Sequence, residues 1–335
     1  MQNQVISILI PFKNTSLFIT ECLASIVNQT YSNWELIIVD DHSIDESYSI
    51  VKGFADLDKR IQLYKNKGSG IIDALQLAYS KSKGSYITRM DSDDIMTKNR
   101  LQSMYEDLAN HGKGYVALGL VKYFSEEGIS DGYSKYETWL NALTEKGSNY
   151  TEIYKECVIA SPCWMIHRED FDRCGAFNAK IYPEDYDLVF RLYKHNVKCI
   201  PSSNLLHYWR DYSYRSSRVQ DNYEHDMLLK LKLHHFLKID NTPSKALVLW
   251  GAGHKGKFSA SYLIENNVDF IWVCDNPKKI GKHIYKHMLY DFKYLENIKN
   301  PQSIITVANH KAQKEIKTYL KNQNMAPMVD YFFFC

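Results

Sequence analysis

Two stretches, "VISILIP" (5–11) and "WELIIVDD" (34–41), are apolar almost without a break, and a segment with helical spacing, "TECLASIVNQ" (20–29), lies between them. A strand that is apolar on both faces must be covered on both, which is the condition of a parallel sheet wrapped by helices. The alternation continues with a helix from about Asp45 to Leu57, a short strand "IQLYK", a helix in "GIIDALQLAYSKSKG" and a strand "SYITRM". The expected fold class is therefore α/β with a parallel sheet. Ligands of such sheets bind beyond the carboxyl ends of the strands, so "VDD" and "MDSDD" fall on one rim.

That rim poses a problem. Asp91, Asp93 and Asp94 place three carboxylates within four residues. Like charges this close repel by ~1 kcal/mol per pair even in water. One reading is a hard divalent cation held by one or two carboxylates plus phosphate oxygens. The other is a solvated acidic turn capping the helix that begins near Lys98. With Asp40 and Asp41 arriving on a neighbouring strand, the rim carries five aspartates and no evident counter-charge. A magnesium- or manganese-bound nucleotide answers that deficit.

The chain of 335 residues is long for one core and suggests two domains. "NTPSK" (241–245) reads as a linker, giving expected domains at 1–240 and 245–335. A hydrophobic content of 45% and a charged content of 24% are those of a soluble globular protein, and a net charge of +2 gives no case for a nucleic-acid partner. Seven scattered cysteines form no C-x-x-C pair, so neither a zinc knuckle nor a disulfide framework is indicated. "MQNQVISILIPFKN" has no basic lead-in, and its apolar run is too short for a signal peptide or a membrane span. A cytoplasmic location is expected.

"VISILIPFKNTSLFITECLASIVNQTYSNWELIIVDDHSID" followed by "GIIDALQLAYSKSKGSYITRMDSDDI" resembles the family 2 inverting glycosyltransferases of the GT-A fold, closely over roughly residues 5–105 and more loosely over 155–220. The resemblance implies a nucleotide-sugar donor, with UDP the expected nucleotide, Mn²⁺ or Mg²⁺ as cofactor, and transfer of one sugar to a glycan, lipid-linked or protein-linked acceptor. A lipid-linked acceptor would bring peripheral membrane contact. Pro11 and Phe12 would end the first strand beside the nucleotide, although the family usually has Tyr where Phe12 stands. Asp41, with Asp40 next to it, would hydrogen-bond the base. Asp91 and Asp93 match the D-x-D motif, Asp93 as metal ligand and Asp91 near ribose or metal-bound water, with Ser92 between them and Asp94 behind.

"PEDYDL" (183–188) matches the downstream E-D motif and makes Asp185 the expected general base, with Glu184 beside it. The helix dipole is expected to hold Asp185 ionised. In "LLHYWRDYSYRSSR" (205–218), His207 resembles the histidine that completes metal coordination. Arg210, Arg215 and Arg218 could neutralise the departing diphosphate. Trp164 could stack on an acceptor sugar, or simply be buried. The Q-x-x-R-W signature of processive synthases is absent, which argues for single-sugar transfer.

"GAGHKG" places Gly251, Gly253 and Gly256 between strand "ALVLW" and a helix, with Asp275 about 20 residues on. That is the dinucleotide fingerprint in its context, within a domain too short for a complete dinucleotide fold. It resembles the small Rossmann-like domains that precede some sugar acyltransferases. Gly251, Gly253, Gly256 and Asp275 are its candidate nucleotide or nucleotide-sugar site. The rival functions are an NAD-dependent or bifunctional oxidoreductase working through this domain, and a catalytically silent nucleotide-sugar binding protein.

Overall fold

The structure is a computed structural model and describes residues 4–178, 180–213, 215 and 225–335. It divides into two compact units, Met1–Tyr150 with Val158–Val219, and Thr151–Cys157 with Gln220–Cys335.

The first unit begins with β1 (Ile6–Phe12), α1 (Ile19–Val27), β2 (Trp34–Asp40), α2 (Ser47–Leu57), β3 (Ile61–Lys65), α3 (Ile71–Lys81) and β4 (Tyr86–Arg89). It continues with β5 (Ile95–Met96), α4 (Arg100–His111), β6 (Tyr115–Leu118), β7 (Leu120–Phe124) and α5 (Asp131–Lys146). The remaining elements are β8 (Trp164–His167), α6 (Arg168–Arg173), α7 (Glu184–Lys194), β9 (Lys198–Cys199) and β10 (Leu205–Arg210). Every residue of β1 is buried, as a central strand covered on both faces requires. Helix α1 buries Ile19, Cys22, Leu23 and Ile26, one stripe at helical spacing. Each large apolar side chain so placed contributes roughly 1.5–3 kcal/mol.

The main sheet runs β3-β2-β1-β4-β8-β6-β9. β1 pairs in parallel with both β2 and β4, while β8 runs antiparallel to β4 and β6. Chain order reverses beside β1, and beyond the carboxyl ends of strands at such a switch point is where ligands of these sheets bind. A second sheet, β5-β10-β7, pairs His207 with Met96. His207 thus lies within β10 itself.

The second unit contains α8 (His225–Ile239), β11 (Ala246–Trp250), α9 (His254–Glu265), β12 (Ile271–Cys274), β13 (His283–Ile284), β14 (His287–Asp291), β15 (Pro301–Ile305), α10 (His310–Asn322) and β16 (Tyr331–Phe333). Its sheet order is β13-β14-β12-β11-β15-β16, parallel except for β13. Val248, Trp250, Val273, Ile305 and Leu320 fill its core. The division falls ahead of α8 and not at the 241–245 segment, because α8 packs on α9 of the same unit.

Candidate active site

The adjacent aspartates at the end of β2 do different things. Asp40 accepts the Ser43 N–H at 2.9 Å and ties down its own turn. Asp41 accepts the Asn66 side-chain amide at 2.7 Å and the Gly70 N–H at 3.0 Å, with Lys13 Nζ 3.9 Å away. Gly70 stands at φ 91°, a conformation that side chains avoid, so this donor requires glycine. Asn66 was not foreseen; its position just beyond β3, at the same rim, was the available signal. Phe12 is buried in the apolar core, and what it offers the rim is its carbonyl, which accepts the Asp41 N–H at 2.8 Å. Pro11 is buried one residue earlier, in register with Val39.

Arg89, the last residue of β4, joins the acidic motif to the start of α7. Its guanidinium lies 3.0 Å from Asp91 Oδ1 and 2.8 Å from Glu184 Oε1, and both Arg89 and Glu184 are buried. Sequence reasoning missed this residue although it stands two places before Asp91. Trp164, on β8, is buried beside Phe171. It is not presented to an acceptor.

Beyond Asp91 the motif turns inward. Ser92, Asp93 and Asp94 are all buried. Asp93 Oδ2 accepts the Tyr212 hydroxyl at 2.8 Å, and its carbonyl accepts Arg210 Nε at 2.8 Å. Burial, reinforced by the neighbouring Asp94 charge, pushes the Asp93 carboxyl up to about 7. Asp94 is raised by burial too, against the pull of Arg215. It accepts the Arg210 N–H at 2.8 Å and faces His207 Nε2 at 3.0 Å. Arg100 donates to the other ring nitrogen of His207, also at 3.0 Å.

Arg215 lies buried against this cluster, its guanidinium 5.1 Å over the Trp209 ring. Burial opposes its charge, yet Asp94 and Asp93 hold it firmly protonated. Arg210 also pairs with Glu21, so it braces the loop. Arg218 lies outside the described residues. The counter-charge that the sequence left to a bound cation is thus supplied largely by Arg89, Arg100, Arg210 and Arg215.

Asp185 is the second residue of α7, and its Oδ1 accepts the Tyr186 N–H at 2.7 Å. It keeps some solvent exposure but is surrounded by protein. Burial first, then the Glu184 carboxylate, raises its pKa, while Arg89 works the other way. The helix dipole, expected to hold this carboxyl ionised, is therefore outweighed. A raised pKa makes it a better proton acceptor near neutral pH.

The donor set tests the metal expectation. His207 has both ring nitrogens committed to Arg100 and Asp94, so it does not present a ligand atom beside Asp91 and Asp93. Among the described residues no group of three or more His, Cys, Asp or Glu side chains has a metal-holding arrangement. Two carboxylates remain, Asp91 and Asp93. With only two carboxylates, they would suit a hard cation such as magnesium or manganese if phosphate oxygens and water completed its shell.

In the second unit, Gly251 has φ 120° and a Cβ there would lie 2.6 Å from Thr306 Oγ1. A Cβ on Gly256 would fall 2.1 Å from the Gly251 carbonyl oxygen, so both glycines are required by packing within the turn. Gly253 faces open space at the start of α9, and Asp275 is exposed just beyond β12.

Solved structures share this architecture. S. aureus TarS (residues 1–349), in complex with UDP-GlcNAc, matches with a TM-score of 0.56 over 77% of this chain and 71% of that one, at 17% identity. The mannosyltransferase PcManGT from Pyrobaculum calidifontis, in complex with GDP-Man and Mn²⁺, matches at 0.52 over 78% and 74%, at 16% identity. At such identities the likeness shows the fold, that of GT-A-like glycosyltransferases. Residues 7–175 match the family model Glycosyl transferase family 2, and the chain belongs to that family.

Among curated relatives, the O-antigen biosynthesis glycosyltransferase WbnJ of Escherichia coli is 30% identical over 193 residues, 56% of this chain and 71% of that protein. Glycosyltransferase GlyG of Streptococcus pneumoniae is 35% identical over 128 residues, 38% of this chain and 42% of that protein. The chain thus spans less than half the length of GlyG.

Proposed function

We propose that this enzyme transfers one sugar, with inversion and with Mn²⁺ or Mg²⁺, from a UDP-linked donor to a hydroxyl of a glycan, lipid-linked or protein-linked acceptor. The observation that carries the reading is the double pairing of Arg89 to Asp91 and Glu184, which brings the D-x-D motif against the start of the helix bearing Asp185. Asp41, fixed by Asn66 and Gly70, receives an N–H of the base. Asp91 and Asp93 are the residues that would hold a bound cation, which would neutralise charge on the diphosphate. Asp185 takes the proton of the acceptor hydroxyl as its oxygen forms the new bond to the anomeric carbon. The bond from that carbon to the diphosphate oxygen breaks, and the electron pair leaves with the nucleoside diphosphate beside Arg215.

The sugar-nucleotide complexes of TarS and PcManGT support the donor class. The names of WbnJ and of the putative teichuronic acid biosynthesis glycosyltransferase TuaG of Bacillus subtilis support a glycan acceptor. Among the described residues no helix is long and apolar enough to cross a membrane, so a lipid-linked acceptor would be met at a membrane surface. The test is a panel of UDP- and GDP-sugars scored for hydrolysis with Mn²⁺ and with EDTA. Hydrolysis of at least one donor, abolished by EDTA, is expected. Binding without turnover of any donor, acceptor included, would leave a silent binding protein instead.

A further inference from the structure

One oxygen of Glu184 has nothing to do. The side chain is 5% exposed, its Oε1 takes the Arg89 guanidinium at 2.8 Å, and its Oε2 is buried with no hydrogen-bond partner among the described residues. Leaving a buried polar oxygen unpaired is costly, so such an atom in a folded protein calls for a donor that arrives from outside. We propose that Glu184 is a specificity-determining residue whose Oε2 accepts a hydrogen bond from a hydroxyl of the donor's sugar, and that Arg89 is the positioning residue that aims it. This inference deepens the proposed function and rests on it.

Three features point to a sugar hydroxyl. Asp91, Glu184 and Asp185 make the surroundings negative, which repels phosphate and carboxylate but welcomes a neutral O–H donor. The guanidinium that holds Glu184 also holds Asp91, 3.0 Å from its Oδ1, so Glu184 is anchored to the donor side of the site. Its neighbour Asp185, on the same first turn of α7, remains available to the acceptor. A site built to bond one hydroxyl rejects the analogue that lacks it, because the buried partner is then stranded.

The test uses calorimetric binding with Mn²⁺ present, first of UDP and then of whichever of UDP-GlcNAc, UDP-glucose, UDP-galactose and GDP-mannose the parent binds. Deoxy analogues of that sugar are then compared. The parent should lose about tenfold to hundredfold in affinity at one hydroxyl position, the cost of leaving a buried polar group unpaired. In Glu184→Gln, an amide of the same size, UDP affinity should be retained while that position-specific loss disappears. Arg89→Met should erase it too, and Arg89→Lys should restore part of it. A merely structural defect would weaken every analogue alike.

A parent indifferent to every deoxy position overturns the proposal and indicates that water alone meets Oε2. So does discrimination that survives Glu184→Gln, or that is seen with deoxy acceptors and not deoxy donors. A parent that binds neither UDP nor any of these donors overturns the proposed function itself.

Discussion

His207 Nε2 lies 3.0 Å from Asp94 Oδ2 with both side chains wholly out of solvent, and Arg100 reaches the other ring nitrogen at the same distance. Burial, then the Arg100 charge, pushes the imidazole pKa well below its usual value, so the ring is neutral. Arginine can only donate, so Nδ1 accepts and Nε2–H donates to Asp94. The three residues form one relay from α4 through β10 to the acidic loop. His207→Ala leaves a guanidinium and a carboxylate buried and unlinked, and should cost about 3–5 kcal/mol in urea unfolding. A cost below ~1 kcal/mol, that of an exposed pair, would show that the relay contributes little.

Asp45 gives the fold an acid-side dependence. Burial disfavours its charge, but hydrogen bonds from Ser47 and Ser16 outweigh this and lower its pKa from 3.8 to about 2. The Ser16 and Ser47 backbone N–H groups each donate to it at 3.0 Å, pinning the loop after β1 to the loop after β2. A folded-state pKa below the unfolded one means stability that is present above pH 3.8 and lost as pH falls through about 2. Asp45→Asn should be less stable than the parent at neutral pH, and the gap should narrow across that window. A gap independent of pH would remove the carboxylate from the account.

Asp185→Asn should separate chemistry from binding. The amide keeps the size of the carboxyl but cannot take the proton, so transfer should fall by roughly 10²–10⁴ while donor affinity is retained. Steady-state kinetics beside calorimetry checks both halves. Transfer at the parental rate would move the base elsewhere.

Gly70→Ala should weaken nucleotide binding. At φ 91° the substitution is strained, costing about 1–3 kcal/mol. The new Cβ would also sit 3.2 Å from the Tyr182 hydroxyl. Shifting this backbone moves the N–H that Asp41 accepts. UDP affinity and thermal stability should both drop; a variant that binds UDP as the parent does would free Asp41 from its proposed role with the base.

In the second unit the glycines of the turn should separate cleanly. A Cβ at position 256 would meet the Gly251 carbonyl oxygen at 2.1 Å, and backbone cannot move aside cheaply. Gly256→Ala should destabilise by about 1–3 kcal/mol, the range for overpacked sites. Gly253→Ala meets nothing within 4 Å and should be near neutral in stability. Denaturation of the two variants side by side is the check.

The local patterns in the sequence were enough for the sheet order's ingredients and for the ends that matter. Continuous apolar runs require strands covered on both faces, 3.6-residue spacing requires helices, and both are properties of short segments read without their neighbours. For the same reason Asp41, Asp91 and Asp93 could be picked out at strand ends, whereas Asp185 is reached only through the family resemblance. What the charged side chains around them touch is decided by partners far along the chain. Arg89 and Glu184 are separated by 95 positions, Arg100 and His207 by 107, and Asp94 and His207 by 113. Taken alone, a histidine near a D-x-D motif looks like a metal ligand; inside β10, with a guanidinium on one nitrogen and a carboxylate on the other, it is a strut. A buried charge takes its role from the opposite charge that packing sets beside it, and only the tertiary structure decides which one that is.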